Sequence, residues 1–205
     1  IIVFMCIAAT NFGLFYAALK GDVKKLLLDE EFRWYMILIL GATTIIATGL
    51  YWANWGEEEK CIRDALFQVV SIMTTTGFAT ADYLYWPTLL GLILFILMFI
   101  GSCASSTAGG IKVIRVVLLF KNSFTEMKRI IHPNAVINVK YNDKSVHPTI
   151  MTSVMGFFIL FIIVFSIGSV IMAFFTEDIA TACSAVITSL SNICLLYTSD
   201  AADDK

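Results

Sequence analysis

The chain has 205 residues, of which 59% are hydrophobic and 15% charged, and its mean hydropathy is +0.83; a soluble domain carries roughly 25% charged residues. That composition excludes an ordinary soluble globule and implies an integral membrane protein held in a lipid bilayer. A net charge of −2 with no basic arm excludes nucleic acid as a partner.

In chain order, residues 1–19 are apolar and long enough to cross a hydrocarbon core of about 30 Å, which takes about 20 helical residues. The run begins with neither Met nor a charged leader, so it reads as neither a signal peptide nor a natural start, and a truncated N-terminus is expected. Residues 20–33 carry Lys20, Lys24, Lys25 and Arg33 and are expected on the cytoplasmic side. Residues 32–52 form another span, and the acidic stretch ANWGEEEKCIRD after it should face outward. Two apolar pieces, 63–73 and 89–100, are too short to span. Pieces of about 10 to 14 residues imply re-entrant or broken helices, tolerated only where protein or a water-filled cavity surrounds the open backbone.

Basic residues return between Lys112 and Lys144, which puts 121–148 on the cytoplasmic side, and residues 149–175 form a further span followed by the outward stretch TEDI. His132 and His147 each precede a proline and read as loop residues. The five cysteines show no CxxC or Cys/His ligand spacing and read as packing residues. No P-loop, HExxH or GxSxG motif occurs, so the chain is not read as an enzyme and no cofactor is expected.

Between the Glu57 side and the Lys112 side the chain crosses once, yet that stretch holds a short helix, the segment SIMTTTGFAT and a second helix. The economical arrangement is a dip: 64–73 descends partway, 74–80 returns, and the chain crosses from Leu89. A short helix aims the partial negative charge of its C-terminus at the midplane, which favours a cation there. An extended Thr74, Thr75, Thr76, Gly77, Phe78 segment turns backbone carbonyls toward an axis, and Gly77 permits the positive φ that lines them up. The competing reading is that these hydroxyls back-bond within a helix or serve close helix packing.

ALFQVVSIMTTTGFAT, then GSCASSTAGGIKVIRVVLLF and KRIIHPNAV, together resemble the third repeat of the Trk/Ktr/HKT potassium transporter family, in its bacterial Trk-type membrane subunits. NFGLFYAALKG resembles the end of that family's second repeat, and GFFILFIIVFSIGSVIMAFF the first helix of its fourth. The resemblance implies an all-α membrane protein of helix, pore loop, helix repeats, incomplete in this chain. Residues 1–19 would be the last helix of repeat 2 and 20–33 a cytoplasmic loop. Repeat 3 would occupy 34–120, with pore helix and filter at 63–80 and a broken helix at 88–120. A second cytoplasmic loop would cover 121–148, and 149–193 would begin repeat 4.

The family likeness further implies potassium uptake across the bacterial inner membrane, with potassium as substrate at Thr75, Thr76 and Gly77. It implies a multi-pass subunit that forms a homodimer and docks a cytosolic nucleotide-binding regulatory subunit. Gly101, Ser102, Cys103, Ala104, Ser105, Ser106, Thr107, Ala108, Gly109 and Gly110 would be an intramembrane gating loop below the filter, tuned by Lys112 and Arg115. Two plainer readings stand beside these. Gly101, Ser105 and Gly109 are spaced by four, as on a close-packing helix face, and Lys112 and Arg115 at a membrane edge snorkel. The alternative function is a solute transporter whose discontinuous helices work by alternating access.

A repeat is also visible internally. Sliding the chain by 117 residues places Ala65 on Ala182, Val69 on Val186, Val70 on Ile187 and Ser71 on Thr188. At the same shift Gly77 falls on Cys194, so the fourth filter glycine is missing. The tail 194–205, CLLYTSDAADDK, switches from membrane composition to acidic residues and reads as non-native, resembling read-through of a sequencing adapter.

Overall fold

The computed structural model describes residues 1–132, 138–142, 144–176 and 178–194, with Leu84 described by its main chain only. Of the tail 194–205, read above as non-native, Cys194 is described and the remainder lies outside the described residues.

The first apolar run is two helices, α1 (Ile2–Ala8) and α2 (Phe12–Leu19), meeting at 109°. This corrects the reading of 1–19 as one helix. The cause is the Thr10–Asn11 pair: the Thr10 hydroxyl bonds back to the Cys6 carbonyl at 2.8 Å, and the Asn11 side chain caps α2 by accepting from Gly13 N at 2.9 Å. A short helix, α3 (Val23–Leu28), follows. Asp29 then caps α4 (Glu30–Trp52), its Oδ1 accepting from Glu31 N at 3.0 Å and Phe32 N at 3.2 Å. At 1.5 Å per residue, its 23 residues reach about 35 Å, enough to cross the bilayer.

Helix α5 (Glu58–Met73) starts five residues before the apolar stretch that marks it in the sequence. Glu58 and Glu59 sit in its first turn, where carboxylates suit the helix dipole. After a 3₁₀ turn, Tyr83–Tyr85, come α6 (Thr88–Phe99) and α7 (Val113–Ile131), separated by the small-residue loop. A hairpin of two short strands, β1 (Lys140–Tyr141) and β2 (Lys144–Ser145), pairs Lys140 with Ser145. Helix α8 (Pro148–Ala173) carries proline in its first turn. Its cap is His147, whose ring nitrogen accepts from Thr149 N at 3.4 Å, so this histidine has a helix-starting role. Helix α9 (Ile179–Ser191) closes the described chain.

Among the described residues α4 and α8 are long and apolar enough to span a membrane, and the bent pair α1–α2 makes a third if taken as one span. Every residue from Phe67 to Met73 of α5 is buried. A helix apolar or buried all round at its tip lies inside protein rather than at a boundary. Two glycines set the close approaches. A Cβ on Gly49 of α4 would meet Leu90 Cδ2 of α6 at 2.6 Å, and one on Gly168 of α8 would meet Val186 Cγ1 of α9 at 2.9 Å. The fold is therefore an all-α membrane architecture with one full helix, pore loop, helix unit, α4–α5–α6/α7, and a second helix and pore helix, α8–α9.

Candidate functional site

Helix α5 ends inside the protein in a hydrogen-bonded turn. Thr75 N donates to Ile72 O at 3.0 Å and Thr76 N to Ser71 O at 2.9 Å, the paired bonds of a Schellman end. Thr75 takes φ +56° to make them, and Gly77 follows at φ +80°. The segment 74–78 is thus not extended throughout. Thr74 and Thr75 close the helix, and the irregular strand begins at Thr76. A left-handed threonine is costly because its β-branch crowds the backbone, which is why composition pointed to Gly77 and passed over Thr75.

Side chains then fix the loop. Thr74 Oγ1 and Thr76 Oγ1 lie 2.7 Å apart in a hydrogen bond. Ser71 Oγ, fully buried, donates to the Phe78 carbonyl at 2.6 Å. Ser71 was missed as a site residue, since a serine in a buried helix reads as a packing residue. No described donor bonds the carbonyls of Thr75, Thr76 and Gly77, whereas that of Phe78 is taken by Ser71. Gly77 has no room for a side chain. A Cβ there would lie 2.6 Å from Cys194 Cβ and 2.8 Å from its Cα and carbonyl carbon, so the strand leaving α5 runs against the one leaving α9.

The ten small residues 101–110 form a loop, so the face of Gly101, Ser105 and Gly109 expected of a continuous helix does not exist. A parallel bridge between Ile100 and Ile111 closes its neck, with Gly101 N on Ile111 O at 2.8 Å, Ile111 N on Phe99 O at 3.1 Å and Val113 N on Ser102 O at 3.1 Å. Ser105 and Gly110 take positive φ, +57° and +68°. Close approach still explains two glycines: a Cβ on Gly101 would fall on the Gly109 carbonyl oxygen, and one on Gly109 on that of Ser191 at the end of α9.

The loop rests directly on the end of the pore helix. Ser102 Oγ donates to Met73 O at 2.7 Å, and Gly109 N donates to Thr75 Oγ1 at 3.3 Å. On its other side Cys103 N donates to Ala9 O at 3.2 Å and Thr107 Oγ1 to Ala8 O at 3.2 Å, at the bend between α1 and α2. Ala104 N donates to Glu31 Oε1 at 2.5 Å. Lys112 does not snorkel outward. Its ammonium turns back into the loop, donating to Ser106 O at 3.4 Å, Ser106 Oγ at 3.3 Å and the Ala108 carbonyl. The Arg115 guanidinium lies over the Phe157 ring of α8, 4.0 Å from its centroid, while Phe99 at the loop entrance meets Phe165 at 5.0 Å. Helix α8 thereby touches both ends of the broken span.

Sequence reasoning and structure thus bring 74–78, 101–110 and Lys112 into one place, with Arg115 set at the edge. Comparison with known proteins gives the chain as a whole a family context. The TrkH family, described as cation transport protein, matches residues 1–195. The Trk system potassium uptake protein TrkH of Escherichia coli strain K12 is 36% identical over 195 residues, 94% of this chain and 40% of that protein. The Halomonas elongata protein of the same description is 37% identical over 191 residues, 93% of this chain and 40% of that protein. The crystal structure of the potassium transporter TrkH from Vibrio parahaemolyticus superposes with a TM-score of 0.87 at 35% identity, covering 94% of this chain and 42% of that one. The chain therefore spans about two fifths of the length of these relatives.

Proposed function

The chain belongs to the TrkH family of cation transport proteins, and on that premise we propose that it supplies one complete pore loop of a potassium uptake pathway in the bacterial inner membrane, as part of a longer multi-pass subunit. The carbonyls of Thr75, Thr76 and Gly77 replace water around potassium at the negative end of the α5 dipole. Thr74 and Phe78 flank them and hold the strand, Phe78 through Ser71. Residues 101–110 are the gate, and Lys112 tunes it by tying three loop oxygens together, with Arg115 fixing the exit against α8. The observation that carries this reading is the pair of bonds from the loop to the pore helix end, Ser102 to Met73 and Gly109 to Thr75. Those bonds put a small-residue segment directly against the strand that would hold the ion.

Three further features extend the proposal beyond this chain. The longer subunit works as a homodimer. Its basic cytoplasmic side docks a cytosolic nucleotide-binding regulatory subunit. A pore closed on all sides needs filter strands from every repeat, and α9 is followed by Cys194 where a glycine is needed.

The test uses a completed protein, in which residues 1–193 replace the matching segment of the Vibrio parahaemolyticus transporter, whose own strand then follows α9. In a potassium-uptake-deficient bacterium the completed protein restores growth on limiting potassium and the 205-residue chain alone does not. Growth with the chain alone would overturn the shared-pore reading, and no growth with a completed protein that reaches the membrane would overturn the potassium assignment. For the gate, removing Ser105 to Ala108 raises rubidium flux through the completed protein with little change in selectivity. A deletion that only lowers the amount of folded protein would make the loop a packing element.

A further inference from the structure

Three consecutive acidic residues begin α4; the first two both meet Asn142, and the third faces elsewhere. Asp29 caps the helix with Oδ1 and accepts from Asn142 Nδ2 with Oδ2 at 2.9 Å. Glu30 accepts from Asn142 N at 3.0 Å and pairs with Lys121 at 2.5 Å. Its own backbone N donates to Asn142 Oδ1 at 3.0 Å, and Lys121 also reaches Lys140 O at 2.9 Å. These contacts fasten the hairpin of β1 and β2 to the start of α4. The next residue, Glu31, turns the other way. It is 2% exposed and accepts from the backbone of Ala104, in the middle of the intramembrane loop.

A helix-dipole role alone would be met by an exposed carboxylate, as at Glu58 and Glu59. Burying one costs several times more unless the charge is hydrogen-bonded, and here the bond goes to a segment from another part of the chain. Burial and the carboxylates of Asp29, Glu31 and Glu30 together push the Tyr141 phenol above its ordinary range, so the hairpin lies within the field of the same acidic group.

We propose that Glu31 is a positioning residue that holds the intramembrane loop against the filter, and that Asp29 and Glu30 link this hold to the cytoplasmic hairpin, so that displacing the hairpin loosens the loop. The inference rests on the reading of 101–110 as a gate only for its consequence on flux. The mechanical claim stands on the geometry of the chain itself.

The loop carries its own reporter. Cys103, beside Ala104, is 1% exposed, and so is Cys61 on α5. In the full 205-residue chain in lipid nanodiscs, alkylation by a small thiol reagent is followed at each cysteine by peptide mass spectrometry. Glu31→Ala speeds Cys103 by about tenfold or more, the scale of a lost charged hydrogen bond, while Cys61 keeps its rate. Glu31→Gln retains a carbonyl oxygen that accepts from Ala104 and restores most of the protection. Asn142→Ala combined with Glu30→Ala removes the bonds of Asn142 to Asp29 and Glu30 and the Lys121 pair, and speeds Cys103 in the same direction by a smaller factor. An unchanged Cys103 rate in Glu31→Ala, or equal acceleration of Cys61 and Cys103, would overturn the positioning role, and no effect of the hairpin variant would overturn the link. If Cys103 is released as expected yet rubidium flux through the completed protein carrying Glu31→Ala does not change, the latch holds and the gate assignment fails.

Discussion

Helices α5 and α9 are the same device built twice, and they differ where an ion would sit. At the 117-residue shift the two bonds of the terminal turn repeat. Thr75 N to Ile72 O becomes Asn192 N to Ser189 O at 3.3 Å, and Thr76 N to Ser71 O at 2.9 Å becomes Ile193 N to Thr188 O at 2.9 Å. Thr75 and Asn192 share the left-handed turn, φ +56° and +54°. Ala65, Val70, Ala182 and Ile187 are all fully buried. Beyond the turn the two part. In α5 the next steps are a left-handed glycine and a carbonyl held by Ser71. In α9 the matching hydroxyl of Thr188 bonds back to Ser184 O at 2.8 Å within its own helix, and Cys194 takes the place of glycine. The turn belongs to the repeat, and the left-handed glycine with its anchored carbonyl belongs to the residues after it.

The largest effect comes from breaking the difference at its centre. Gly77→Ala adds a Cβ both in left-handed backbone and against the Cys194 main chain, a strain of about 2 to 4 kcal/mol when the two costs combine. In the completed protein the potassium to sodium permeability ratio, measured by reversal potential, should fall by tenfold or more. An unchanged ratio in protein that reaches the membrane would make Gly77 a packing glycine.

A smaller effect sharpens the comparison one turn back. Ser71→Ala removes the donor that holds the Phe78 carbonyl, a buried bond worth about 1 to 2 kcal/mol, and should lower selectivity without lowering the amount of protein in the membrane. Thr188→Ala removes a bond internal to α9 and should change the thermal midpoint and selectivity little, by under about 0.5 kcal/mol. Matching losses from the two variants would mean that Ser71 acts through helix stability alone.

Much of this architecture is legible in the sequence because bilayer length is a strict ruler. Helices α4 and α8 follow from unbroken apolar runs, and the short lengths of 89–100 and of the piece before the threonines point to a dip. Clustered Thr, Gly and Ser mark the two loops for the same reason: backbone that leaves a helix inside a membrane needs small residues. What stays hidden has local causes. The bend at Thr10 and Asn11 lies in an apolar stretch whose hydropathy masks a helix cap. The first turns of α5 are acidic, so an apolar search starts it late. Thr75 in a left-handed turn runs against its own propensity, and small residues at 101–110 mark a loop without showing which contacts pin it. Glu31 looks like any acidic residue at a helix start until Ala104 is placed against it.

The central claim is that the strand after α5 holds potassium by its backbone. Anomalous diffraction from crystals of the completed protein grown in rubidium tests it most directly. Anomalous density within coordination distance of the Thr75, Thr76 and Gly77 carbonyl oxygens, weakened in Gly77→Ala, is the predicted result. Rubidium density found elsewhere in the pathway, with none at those three carbonyls, would contradict the account.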